Sequence, residues 1–410
     1  MKTIVPDGYK KTKFGYIPNE WKIDNFSKII KPIVREVEKP NEPYWRLGLR
    51  SHGKGTFHEF IENPNSVSMD KLYVVEENDL IVNITFAWEH AIALATKQDE
   101  NKLVSHRFPT YQFKNNHSTL FYKYYVLQPR FKYELENISP GGAGRNRVMS
   151  KKDFLKIDVL IPSSKEQTKI AEILTTWDEV IEKQEELIKE KEQLKKGLLQ
   201  KLLSGEVRFD RFDDNWEELK LEDFLIDYRL GGNYENNEII NDKPLIKMGN
   251  ISRGKINLEK VNYISNGQEI DFKDRIQFGD LFFNTRNTLD LVGKVAIWKN
   301  ELPVAYYNSN LMWMKFDNNF FMNYLFNSYD GIKKLKRIAT GTTSVAAIYT
   351  RDLVKLKFTI PSSEEQQKIA EVLSLADDEI NLLKDELEEL KLQKKALMQK
   401  LLTGQVRVKV

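Results

Sequence analysis

The sequence predicts an α+β protein in which two mixed α/β domains are separated by two long helices that form an antiparallel coiled coil. Three observations predict it. One segment of the chain recurs without a gap. Each copy carries a long helical pattern with a heptad seam. The stretch before each copy reads as short strands joined by irregular loops.

The repeat organises the rest. Residues 161–208, which open IPSSKEQTKIAEIL, align with residues 360–407, which open IPSSEEQQKIAEVL, at a constant offset of 199 and with 24 identities in 48 positions. The match extends upstream, where DFLKIDVLIPSS from Asp153 parallels DLVKLKFTIPSS from Asp352. The chain is therefore two copies of one unit, each a variable body followed by a near-constant tail. The division that follows is an N-terminal extension at 1–21, a first body at 22–160, a central helical region at 161–208, a second body at 209–359 and a C-terminal helical region at 360–410.

Each tail predicts a single helix. Pro162 and Pro361 precede it, and Ser163 or Ser164, and Ser362 or Ser363, can cap it. Ser163–Glu166 and Ser362–Glu365 have capping-box spacing. No proline interrupts either run, and Gly205 and Gly404 suit the position just past a helix end. About 39 residues at ~1.5 Å each give a rod of about 58 Å. In the second tail Ile369, Leu373, Ala376, Ile380, Leu383, Leu387, Leu390, Lys394, Leu397 and Leu401 follow alternating steps of four and three. The first has a more polar seam: Ile170, Ile173, Trp177, Val180, Gln184, Leu187, Lys191, Leu194 and Leu198. Such long stripes exceed what one small domain covers, so the rods are expected to pack on each other; the alternative is that each folds onto its neighbouring body.

The bodies differ far more from one another. KLYVVEENDLIVNI (71–84), LVGKVAIW (291–298) and NLMWMKF (310–316) read as strands, and 119–128 and 319–339 as one helix in each body. Asn78-Asp79-Leu80 lines up with Gly279-Asp280-Leu281, a turn entering a buried strand. A polar loop recurs before the last strand, as GGAGRNR at 141–147 and GTTS at 341–344.

Composition narrows the function. With no cysteine, disulfides, thiolate metal sites and cysteine nucleophiles are excluded. No apolar stretch has the length of a signal peptide core or a membrane span, so a cytoplasmic protein is expected. The net charge is +3, but the first helical stretch, Lys165 to Leu203, has eight lysines against nine carboxylates. The second, Glu364 to Leu402, has six against ten, so the positive balance lies outside the helices. No Walker loop, dinucleotide fingerprint, nucleophile elbow or HExxH occurs, and no catalytic residue, metal site or cofactor site is assigned.

Candidate contacts come from side-chain chemistry. Arg286, with Asn284 and Asn287 in NTRNT, offers groups that fork onto guanine or adenine edges from a loop beyond a strand. Arg145, Asn146 and Arg147 sit among glycines that let a backbone approach closely. His52 and Lys54 in SHGKG, and Arg253 and Lys255 in NISRGK, are basic turn residues. Lys333, Lys334, Lys336 and Arg337 form a cluster suited to phosphates. Solvated loops carry the same residue types, so the assignment to the two bodies is firmer than any one residue.

With these pieces in place, the chain resembles the specificity (S) subunits of type I restriction–modification systems. The resemblance spans nearly the whole chain. It rests on FGYIPNEW near the start, GDLFFNTRNTLDLVGKVAIW (279–298), both IPSS tails, and the endings QKLLSGEVRF and QKLLTGQVRV. It implies two target recognition domains, each reading half of a split, asymmetric DNA sequence, and two helical regions that set the gap. It also implies two methyltransferase subunits and two restriction subunits as partners. S-adenosylmethionine, ATP and magnesium would belong to those partners, with no cofactor bound by this chain and no catalysis of its own. The region after Asn284 and the glycine-rich loops carry over as reading elements; the first body departs from the pattern, with Asn78-Asp79 for Gly-Asp and no NTRNT equivalent. The alternative is a coiled-coil scaffold or adaptor that assembles partners without reading bases.

Overall fold

The structure, a computed structural model, describes residues 5–141 and 147–410. It divides into two units, Met1–Gln184 with Glu386–Val410, and Glu185–Asp385. Each unit is thus one body plus part of both tails.

In the first unit a four-stranded antiparallel sheet has the order Ile92–Leu94, Leu80–Val82, Thr110–Phe113, Ile30–Ile33. A five-stranded sheet has the order Glu36–Glu38, Lys71–Val74, Leu103–Val104, Tyr44–Leu49, Thr56–Ile61. Two helices, Thr119–Tyr125 and Pro129–Asn137, follow, and Asp158–Ile161 closes the body by pairing with Lys22–Asn25. Pro129 sits at the first turn of its helix, where the missing N–H costs nothing. The core is aromatic: Phe26 packs edge-on against Phe131 and Phe154 at 5.5 and 5.4 Å. Ile170 and Leu174 from the start of the first tail join it, and so do Leu401 and Leu402 from the end of the second.

The second unit repeats this plan. Its four-stranded sheet runs Val295–Ile297, Leu281–Asn284, Leu311–Lys315, Asp227–Leu230, the same order as its counterpart. A second four-stranded sheet runs Asn236–Asn237, Asn262–Ile264, Pro244–Ile246, Tyr306–Tyr307. Glu217–Lys220 pairs with Lys357–Ile360. Leu202, near the end of the first tail, and Ile369 and Leu373, near the start of the second, complete its core. The expected single helix over 319–339 is instead two helices, Asn319–Asn327 and Tyr329–Ile338. Ser328 breaks it: its backbone is extended (ψ 162°) and its hydroxyl accepts the Gly331 N–H, starting a new helix rather than continuing the old one.

The tails are continuous helices, Ser164–Ser204 and Ser363–Leu402. Gly205 and Gly404 follow them at φ 72° and 74°, the left-handed geometry that glycine adopts without a Cβ penalty. Within each unit the helix segments run antiparallel. In the first unit Asp178 meets Lys394 and Gln184 meets Glu386. In the second unit Lys191 meets Glu379 at 2.5 Å, Lys195 meets Asp377, and Glu192 meets Lys384 at 2.6 Å. The seam expected for the second helix is sheltered at every position. The first helix departs from expectation, because Val180, Leu187 and Leu194 face solvent while Ile181, Ile188 and Lys195 take the sheltered side. Apolar spacing alone misleads there: Lys195 holds a seam position because its ammonium reaches Asp377 and lies 5.7 Å from the Tyr324 ring.

Candidate nucleic-acid interface

Each body is locked to the start of a tail by the same buried group. Ser163 caps the first helix through the Glu166 N–H at 3.3 Å, and Ser362 caps the second through the Glu365 N–H at 3.4 Å. The expected capping boxes are only half formed, since both carboxylates turn to other donors. Glu166 accepts from Trp21 Nε1 at 3.1 Å and Arg407 Nε at 2.7 Å. Glu365 accepts from Trp216 Nε1 at 3.0 Å and from Arg208 through Nε and Nη2 at 3.0 and 2.7 Å. Both glutamates are buried, where a charge persists only if paired and hydrogen-bonded. The arginine comes from just past the end of the other repeat's helix in each case.

A second pair of clusters lies further along. Tyr124 donates to Asp178 at 2.5 Å, with Lys394 on the same carboxylate; Tyr324 donates to Asp377 at 2.7 Å, with Lys195 on it. Burial pushes both phenols up, keeping them neutral donors. Sequence reasoning missed all four clusters, although the repeat offset of 199 relates their glutamates, arginines, aspartates and lysines and was the signal available.

The variable surfaces differ between bodies, but the turns SHGKG and SRGK are structural twins. Gly53 N–H bonds the His90 carbonyl at 2.9 Å, just before the strand Ile92–Leu94, and Gly254 N–H bonds the Val295 carbonyl at 2.8 Å, at the start of the corresponding strand Val295–Ile297. His52, at φ 63°, and Lys54 are exposed, as is Lys255, whereas Arg253 is half-buried. Across the twin position in the first body, burial lowers the His90 pKa, opposed by its bond to the Val126 carbonyl.

In the second body NTRNT and GTTS come together. Arg286–Asn287 pairs with Ala346–Ala347, which pairs with Thr340–Gly341. Leu289 N–H reaches the Thr343 carbonyl at 3.1 Å. Arg286 is exposed. Asn284 is corrected from a loop contact to a buried strand end: its Oδ1 accepts the Arg286 N–H at 3.2 Å, and it shapes the segment rather than presenting an amide. Asn287 is half-buried, with its Oδ1 on the Thr288 N–H at 2.9 Å.

The basic cluster splits. Lys334 pairs with Asp330 at 2.8 Å and lies 4.9 Å from the Phe358 ring, and Lys336 pairs with Asp290 at 3.1 Å. Lys333 and Arg337, four apart on one helix face, remain exposed. Arg145 and Asn146 lie outside the described residues. Arg147 is occupied: its guanidinium donates to the Ser139 carbonyl at 3.1 Å and lies 5.2 Å from the Trp88 ring.

Among the described residues no group of three or more His, Cys, Asp or Glu is placed to hold a metal, and no helix is long and apolar enough to cross a membrane.

Comparison with known proteins places this architecture. A chain from structural work on complex assembly and conformational transition of the type I R-M system matches with a TM-score of 0.59 and 17% identity, covering 95% of this chain and 99% of that one. The type I restriction-modification system S subunit of M. genitalium matches with a TM-score of 0.53 and 16% identity, covering 93% and 96%. These likenesses show the fold. In sequence, the type I restriction enzyme MjaVIII specificity subunit of Methanocaldococcus jannaschii is 26% identical over 434 aligned positions, covering 100% of this chain and 98% of that protein. The family model for the type I restriction modification DNA specificity domain matches twice, at residues 23–193 and 213–392, once for each body with its tail. The chain belongs to the family of type I restriction–modification DNA specificity proteins.

Proposed function

We propose that each body reads one half of a split, asymmetric DNA target, with the two tails fixing the gap between the halves. Membership of the family makes DNA specificity, not bond-making chemistry, the role of this chain. One observation carries the finer reading: the two bodies share a sheet order and a buried helix lock but differ in the loops, SHGKG against SRGK, and NTRNT with no twin. A constant frame with different reading loops suits two unlike half-sites presented to two like partners.

Those partners are two methyltransferase subunits, joined for restriction by two restriction subunits. S-adenosylmethionine, ATP and magnesium act on the partners, in the cytoplasm. The reading set in the second body is Arg286, supported by phosphate contacts from Lys255, Lys333 and Arg337; in the first it is His52 and Lys54. The domain division at 1–21, 22–160, 161–208, 209–359 and 360–410 follows the same logic.

The test replaces Arg286 with alanine and measures binding of the full chain, with its methyltransferase partner, to duplexes varied at each half-site. Loss of discrimination at one position of one half-site, worth about 1–3 kcal/mol, is expected. Equal weakening on every sequence would make Arg286 a phosphate contact. Equal affinity of the unaltered complex for every duplex would favour the scaffold reading.

A further inference from the structure

Arg253 differs from three sheltered arginines that face carboxylates. Arg35 faces Asp79 at 2.6 Å, Arg208 faces Glu365 at 2.7 Å and Arg229 faces Asp274 at 2.8 Å. Arg253 is similarly half-buried, yet no carboxylate faces it among the described residues, and its Nη1 is buried without a hydrogen-bond partner. A second cation stands on the neighbouring segment. Gly254 N–H is bonded to the Val295 carbonyl at 2.8 Å and bridges Ala296, so the segment carrying Arg253 runs alongside the strand that Lys294 enters. Burial lowers the pKa of Arg253, and burial followed by the charge of Arg253 lowers that of Lys294, the reverse of an ion pair.

A third donor belongs to the same place. Asn284 N–H bonds the Lys294 carbonyl at 2.8 Å, so the two residues lie opposite each other and share a sheet face. Asn284 is fully buried, its Oδ1 is taken by the Arg286 N–H, and its Nδ2 has no acceptor. The cluster is rich in donors and doubly cationic, and among the described residues no carboxylate pairs with either cation. Keeping two such cations together in a sheltered site costs free energy that a neutral base edge does not return, whereas an anionic oxygen satisfies both.

We propose that Arg253 and Lys294 form a seat for a DNA backbone phosphate on the second body, with Asn284 as a positioning residue that ties the seat to the segment carrying Arg286. The proposal rests on the DNA-reading function above. It gives Arg253 an anchoring role: the phosphate sets where the duplex lies, and Arg286 then meets a base edge.

The test measures equilibrium binding of the full chain, alone and with its methyltransferase partner, to a panel of unrelated duplexes across a salt series. R253Q and K294Q are each expected to weaken binding to a similar extent on every duplex. Each should also reduce the slope of log affinity against log salt by about one. Melting temperature, read in parallel, should hold or rise, because each substitution removes an unpaired sheltered charge. An unchanged salt slope overturns the seat, and a melting temperature that falls with the slope unchanged assigns Arg253 to the fold. A selective loss of preference at one base pair overturns it in favour of base reading. Unaltered protein that binds no duplex removes the DNA-reading function, and the seat with it; normal binding with unchanged slopes removes the seat alone.

Discussion

At the residue scale, single positions carry more than their local role. Asn78 and Gly279 occupy the same turn at φ 68° and 84°, and these residue types adopt left-handed geometry most readily. The aspartates that follow close it: Asp79 Oδ2 takes the Glu76 N–H at 3.0 Å, and Asp280 Oδ2 takes the Gln277 N–H at 2.6 Å. The Trp–Glu–Arg locks hold buried carboxylates, Glu166 and Glu365. Removing one partner of such a pair leaves an uncompensated charge. R208A should therefore lower the urea midpoint of unfolding, because Glu365 keeps only the Trp216 N–H. An unchanged midpoint would mean that solvent already screens the pair. Pairings such as these were not legible in the sequence, because Glu166 and Arg407 stand far apart in it and meet only in the folded unit.

At the element scale, the long helices were the most legible feature. Their length, serine caps and terminal glycines all follow from local chemistry. The two glycines differ in their surroundings, which separates two effects. A Cβ at Gly205 would meet Trp216 at an ordinary 3.6 Å, whereas one at Gly404 would lie 2.5 Å from Pro18 Cδ. G205A should cost about 1 kcal/mol for the left-handed backbone alone, and G404A distinctly more. Equal losses in thermal denaturation would show that the Pro18 contact relaxes freely. The first helix seam was read wrongly at Val180, Leu187 and Leu194, and at the last of these because hydrophobic spacing cannot see that Lys195 has an acidic partner across the helix pair. The break at Ser328 was missed for a related reason. The run 319–339 has helical character throughout, and only the serine cap and the packing of Phe326 and Leu335 in one core divide it.

At the scale of the whole molecule, each helix contributes to both units: Ser164–Ser204 runs across the Gln184–Glu185 boundary and Ser363–Leu402 across Asp385–Glu386. If the helices set the gap between half-sites, one heptad inserted into both should lengthen the preferred gap, as read by mapping the methylated sites of cells carrying the variant. A gap that stays the same would remove the spacer role while leaving base reading intact. The sequence by itself determined the duplication, the two helices, their caps and their antiparallel tendency, because helix signals are periodic and local. It also pointed to the family through those repeated tails. Only the tertiary structure decided which tail ends join which body, which cations are neutralised and which stay unpaired. Arg253 and Lys336 look alike as basic residues in the chain. Asp290 answers Lys336 and, among the described residues, no carboxylate answers Arg253, a difference that arises from contacts between segments distant in sequence.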